Sequence, residues 1–158
     1  MDAGTEAAWS PMNAETWLSV ALGEIADHTA EIPGPAANPQ IVQYNAVTTL
    51  KATSDEVPWC SSFACWVMEQ AGAPSTKSMM ARSWLNWAGG EMLSLPRFGA
   101  IVVLARGAKM SNQGHVGFLV SSRPGRVAIL GGNQGDQVSI EWYDESRVLG
   151  YRWPKEKE

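Results

Sequence analysis

Pro58-Trp59-Cys60-Ser61-Ser62 stands where a proline-punctuated loop gives way to a helical pattern, and it decides how the rest of the chain is read. A cysteine in the first turn of a helix lies against unpaired backbone N–H groups and the positive end of the macrodipole, which favour its thiolate. The same N–H groups suit an oxyanion. Downstream the chain offers an imidazole, His115 in Gln113-Gly114-His115-Val116-Gly117, and then an amide, Asn133 in Gly131-Gly132-Asn133-Gln134, to hold that imidazole in one tautomer. Nucleophile, base and orienter thus appear in the order Cys60, His115, Asn133. A depressed pKa is expected for Cys60.

Outward from Cys60, helices come first. The helix that Cys60 opens extends to about Ala71, with Gly72 as its stop and Pro74 just beyond. Upstream, Asn13 caps a helix from Ala14 to about Asp27, in which Leu18, Ala21, Leu22 and Ile25 share a face. Asn38-Pro39 opens a short helix to about Thr48. A fourth helix is predicted over Ser78–Ala88, with Ala81, Trp84, Leu85 and Ala88 on one side and Gly89-Gly90 at its end. His28, at the end of the first helix, has the position of a residue that complements the C-terminal dipole rather than that of a base.

From Gly99 onward the pattern is that of strands: Ile101–Leu104, His115–Ser121, Val127–Gly132, Val138–Tyr143 and Val148–Arg152. Helices followed by a meander of about five antiparallel strands make an α+β domain. A thiol at a helix start and an imidazole on a strand are the arrangement of a papain-like cysteine hydrolase. Side chains alternate along a strand, so Asn133 meets His115 only if Ser121 faces Val127 across the hairpin. Pro124-Gly125 favours a type II turn, whose twist suits tight hairpins poorly, and a wider loop is therefore expected.

Composition bounds the function. The 158 residues fit one domain, 1–158, with 1–12 and 155–158 as flexible ends. A formal charge of −4, a pI near 5.2 and the lack of a basic cluster argue against a nucleic-acid partner. No apolar run reaches membrane-span length, and Met1–Ser10 has no signal-peptide pattern, so synthesis in the cytoplasm and no membrane insertion are expected. Cys60 and Cys65 are five apart on one helix, where Cα atoms lie roughly 8–9 Å from each other, and should be free thiols. With only His28 and His115 besides, no zinc spacing exists and no metal or other cofactor is expected. Cys65, inside Phe63-Ala64-Cys65-Trp66-Val67, is a packing residue. Trp17, Trp66 and Trp84 sit at helical core spacing, whereas Trp59 adjoins the nucleophile. Trp59, Ser61 and Gln134 are expected to line the substrate site.

Asp55-Glu56-Val57-Pro58-Trp59-Cys60-Ser61-Ser62-Phe63, Gly114-His115-Val116-Gly117-Phe118 and Gly131-Gly132-Asn133-Gln134 resemble the compact peptidoglycan hydrolases of the CHAP and NlpC kind. The likeness is closest to one-domain versions found in phage lysis cassettes and among secreted antibacterial toxins. It implies a cysteine amidase or endopeptidase with Cys60 as nucleophile, His115 as base and Asn133 as third polar residue. Its substrate would be an amide of the stem peptide or the muramoyl-L-alanine link. A monomer that acts in the periplasm or cell wall after delivery is expected, with an immunity protein or a delivery system as a further partner. Many CHAP enzymes carry an acidic residue two positions before this asparagine, where this chain has Gly131. Papain-like proteases place a glutamine six before the cysteine, where this chain has Ser54, so the oxyanion side chain is unassigned. Three alternatives stand beside the hydrolase: a cysteine acyltransferase of transglutaminase type, a non-catalytic wall-binding module, and a phage-particle or secretion-apparatus component that remodels wall locally.

Overall fold

The computed structural model describes residues 13–106 and 113–155; the ends expected to be flexible, 1–12 and 155–158, lie outside the described residues except for Lys155. Helix α1 (Ala14–Ala26) starts where Asn13 Oδ1 accepts the Thr16 N–H at 3.2 Å, and it buries Trp17, Leu18 and Ala21. Helix α2 (Pro39–Ala46) has Asn38 as its cap, accepting the Gln40 N–H at 2.8 Å, with proline in the first turn. Helix α3 (Cys60–Gln70) buries nearly its whole circumference, including Phe63, Ala64, Cys65, Val67 and Met68, and is therefore the central helix. Gly72, at φ 86°, takes the left-handed conformation that ends it.

The predicted fourth helix is a shorter, tighter 3-10 segment, Ala81–Asn86. Met80 and Trp87 bound it in extended conformations, so the chain has no room for a full α-helix. Its Trp84 is fully buried, and the indole N–H donates to Ser61 Oγ at 3.0 Å, tying the segment to α3.

Six antiparallel strands form one sheet in the order β1-β6-β2-β3-β4-β5: β1 (Gly90–Leu93), β2 (Ile101–Ala105), β3 (Gly114–Arg123), β4 (Arg126–Gly131), β5 (Ser139–Asp144) and β6 (Val148–Pro154). Five correspond to strands read from sequence. The sixth, β1, is a short edge strand paired with β6, and the buried Arg152 guanidinium donates to Trp87 O and Gly90 O at 2.6 and 3.1 Å beside it. One face of the sheet, through Ile101, Val103, Val116, Phe118 and Leu130, packs against the helices. Val102, Leu104, Leu119, Val127 and Ile129 form a smaller cluster on the other face. Trp17 locks the first helix to the sheet by donating to Gly99 O at 2.8 Å and meeting Trp153 edge-on.

The β3–β4 hairpin differs from expectation at its turn. Arg123 pairs directly with Arg126, a tight two-residue connection in which Gly125 takes φ 76°, the positive value a type II turn demands. A bulge between Leu119 and Ser121 then shifts the register, so that Leu119 faces Ile129 and Phe118 faces Leu130. Ser121 therefore faces Ala128 rather than Val127, and only beyond the bulge does the register become the one that a wider loop was expected to supply.

Candidate active site

Cys60 is the first residue of α3, with Trp59 at the N-cap and no side chain capping the first turn. The loop before it is held by Asp55, a buried carboxylate that accepts the Ile32 and Asn38 N–H groups, both at 2.9 Å. The backbone N–H of Val116, the residue that follows His115, is near enough to the Cys60 sulfur to favour its thiolate. Cys60 is 4% exposed. Burial pushes its pKa up, against the pull of the Val116 N–H, the Arg106 charge and the N–H groups of the helix start. The depressed pKa expected of a helix-start cysteine is therefore corrected: desolvation, the largest influence, outweighs the dipole.

His115 lies on β3, whose alternation sends Val116 and Phe118 toward the helices and the imidazole toward the opposite side, where it stacks on Tyr143 with ring centroids 5.5 Å apart. Burial lowers its pKa to about 4; the hydrogen bond to Gln134 opposes that shift, while Arg106 and Arg147 add to it. Burial thus favours the neutral form of each group, thiol and imidazole. His115 Nδ1 is buried without a hydrogen-bond partner, leaving its lone pair available.

The other nitrogen has a partner, and it is Gln134. His115 Nε2 and Gln134 Oε1 are 2.8 Å apart. Asn133, expected in that place, takes φ 58°, a left-handed turn that breaks the alternation of β4 one residue too early for its amide to serve the imidazole. Gln134, expected at the substrate, is instead buried in this network. The signal that points to it in the sequence is the glycine at 131 with a long amide three residues further on.

Trp59 and Ser61 are likewise corrected as substrate contacts. Trp59 is fully buried against Tyr44, with its indole N–H on Glu31 Oε2 at 3.1 Å. The buried Ser61 hydroxyl donates to Ser78 O at 2.6 Å and accepts from Trp84. Both build the base of α3 rather than a surface. Cys60 and Cys65 are free thiols, and Cys65 is sealed in the core, its sulfur 3.6 Å from Thr76 Oγ1. His28 is exposed at the end of α1 with φ 56°. Ser54, six residues before the cysteine, accepts the Glu56 N–H at 3.0 Å and shapes the approach to α3. Among the described residues no three His, Cys, Asp or Glu side chains are grouped to hold a metal ion.

With that geometry in place, the sequence profile of the CHAP domain matches residues 52–133, more than half of the chain. The chain belongs to the CHAP domain family. The match begins just ahead of the Asp55 loop and ends at Asn133, so it contains both Cys60 and His115 and stops one residue short of Gln134. Two solved structures resemble this CHAP domain in fold. One is the wild-type endolysin LysIME-EF1, with a TM-score of 0.50 and 14% identity over 73% of this chain and 62% of that one. The other is a protein similar to a lipoprotein of the NLP/P60 family from Staphylococcus aureus subsp. aureus Mu50, with a TM-score of 0.50 and 16% identity over 96% of this chain and 44% of that one. The chain therefore spans less than two thirds of either relative. No curated protein matches it. The papain-like α+β architecture read from the thiol-on-helix, imidazole-on-strand pattern agrees with these folds.

Proposed function

We propose that this CHAP domain is a cysteine-dependent peptidoglycan hydrolase that cleaves an amide of the stem peptide or the muramoyl-L-alanine link. The observation that carries the reading is the placement of Cys60 at the α3 N-terminus, near the Val116 N–H of the strand that carries His115, together with a buried His115 Nδ1 that has no hydrogen-bond partner. His115 Nδ1 takes the thiol proton as Cys60 Sγ attacks the amide carbonyl, because a neutral pair makes the proton transfer part of the attack. The N–H groups at the start of α3 receive the negative charge of the tetrahedral oxyanion. His115 then gives its proton to the departing nitrogen, the C–N bond breaks, and a thioester remains on Cys60. Water, deprotonated by His115, attacks the thioester and releases the acid and the thiol.

The placement of the aromatic residues weighs against a binding module without chemistry. Trp17, Trp59, Trp84, Trp87 and Trp153 are buried, and Trp66 and Trp142 are half-buried, so none of the described tryptophans presents an open face to a glycan. Delivery to the wall is part of the proposal: the protein should lyse cells when fused to a periplasmic leader and remain harmless when confined to the cytoplasm. Mass spectrometry of soluble fragments released from purified peptidoglycan tests the activity and names the bond. New amine and carboxyl termini that depend on Cys60 are expected. Fragments with intact peptides and cleaved glycan, or none at all, overturn the reading, and transfer of the acyl group to an added amine in preference to water would make the enzyme an acyltransferase.

A further inference from the structure

We propose that Gln134 is the positioning residue of His115, holding it as the Nε2–H tautomer, and that Gly131 is the vacancy that lets the Gln134 side chain reach it. The inference rests on the reading of His115 as the base and adds to it the identity and the chemistry of its partner.

The amide of Gln134 has two donors and two acceptor sites, and the fold occupies all four. Its Nε2 donates to Ile129 O at 3.1 Å and Ser139 O at 2.8 Å, two backbone carbonyls on adjoining strands. Those two bonds fix which end of the amide faces the imidazole, since a carbonyl can only accept. Oε1 is left to receive the Tyr143 hydroxyl at 3.1 Å and His115 Nε2 at 2.8 Å. An amide oxygen cannot donate, so the hydrogen between it and the imidazole belongs to Nε2, and the neutral ring must carry its lone pair on Nδ1. That nitrogen is the one without a partner.

Gly131 supplies the second, independent observation. A Cβ at position 131 would lie 2.8 Å from Gln134 Oε1, 3.2 Å from its Cδ and 3.4 Å from His115 Nε2. A side chain there would point at the imidazole and occupy the space of the Gln134 amide. The backbone is not what demands glycine, since Gly131 lies within β4 and has no positive φ. The space is. Position 131 and position 134 are thus two routes to the same imidazole nitrogen, and this chain, having glycine at the first, uses the second.

The exchange changes the electrostatics. Among the described residues, the groups that act on His115 are Tyr143 from β5, Arg106 after β2 and Arg147 after β5, besides Gln134 itself. None of these is a carboxylate. A neutral amide orients the ring without stabilising its cation as a carboxylate would, in keeping with burial that favours the neutral ring.

The test is nitrogen-15 NMR of the His115 imidazole in the full-length protein, alongside turnover on purified peptidoglycan, for the native protein, Gln134→Ala, Gly131→Ala and Asn133→Ala. The native ring should show a protonated Nε2 and a bare Nδ1. Gln134→Ala should mix the tautomers and lower kcat about 10- to 100-fold with KM little changed, the scale of a misaligned reactive group. Gly131→Ala, which keeps Gln134 but crowds it, should reproduce both changes; Asn133→Ala should produce neither. A native ring protonated on Nδ1, or a Gln134→Ala ring that keeps its tautomer in a folded protein, overturns the proposal. So does an Asn133→Ala variant that loses the tautomer while Gln134→Ala does not. If the NMR pattern holds and native protein releases nothing from peptidoglycan, the positioning role stands and the substrate reading fails.

Discussion

Replacing Gly132 by alanine should disturb the chemistry without touching a reacting group. The glycine sits where the chain leaves β4 and passes over the base of α3, and a Cβ there would lie 2.7 Å from Phe63 Cβ and 2.7 and 2.9 Å from Trp59 Cζ3 and Cε3. Carbon atoms pack best at about 3.5–4.0 Å, so roughly 1 Å of separation must be found. Phe63 and Trp59 are both fully buried, and neither can swing into solvent. The backbone must therefore give, either at the start of α3, which carries Cys60, or in the turn that carries Gln134. Overpacking of this kind costs about 1–3 kcal/mol. A displacement near 1 Å at a reacting group costs about 100-fold in rate. Urea denaturation should show the first loss and peptidoglycan turnover, measured well below the unfolding transition, the second. A Gly132→Ala protein with native stability and native turnover would refute the idea that α3 and the 131–134 turn are rigidly keyed to each other.

Other predictions follow from the same packing. Iodoacetamide should label Cys60 before Cys65, because Cys60 retains 4% exposure at the helix start while Cys65 has none; Cys65→Ala should keep turnover and lose about 1 kcal/mol of stability through the small cavity, whereas Cys60→Ala should lose turnover and stay folded. The folded His115 pKa of about 4 lies below the ordinary 6.5, so the unfolded chain takes up the proton first as pH falls. The stability contributed by the neutral buried ring is complete above about pH 6.5 and is lost on the way down to about pH 4, a change on the order of 3 kcal/mol. A His115→Gln protein should lack that part of the pH dependence in urea unfolding. Phe63→Ala, which removes a fully buried ring packed edge-on against Tyr44 and Phe118, should cost about 3–5 kcal/mol by the same assay.

The elements that carry Cys60 and His115 were legible because local chemistry and packing agree there. Asn13, Asn38-Pro39 and Gly72 are capping and stop signals that the fold uses as read. The apolar runs around Ile101, Val116 and Val127 are strands buried within the sheet. Over Ser78–Ala88 the helical spacing was real, but extended Met80 and Trp87 left only six residues, which close as a 3-10 turn. Strand β1 is hidden in the sequence because Gly89-Gly90 has the form of a helix stop and because Glu91 and Met92 are exposed at an edge. The partner of His115 is not legible in the sequence for a geometric reason. Alternation along β4 predicts a face for Asn133 only while the chain stays extended, and the positive φ at 133 ends that rule at the residue to which it was applied. The bulge at Leu119–Ser121 is a further feature that no local residue preference announces, and it sets the register on which the site depends.

On the proposed mechanism the Cys60 thiol becomes an acyl carrier with His115 as its base. Intact-protein mass spectrometry of enzyme quenched in acid during turnover of soluble peptidoglycan fragments tests it most directly, with peptide mapping to locate the adduct. An added mass equal to the acyl half of the cleaved amide, released by hydroxylamine and mapped to Cys60, is expected. The adduct should be absent from Cys60→Ala, and in His115→Ala it should form far more slowly. Turnover without any adduct in the native protein, or an adduct mapped to Cys65 or to another residue, would contradict it.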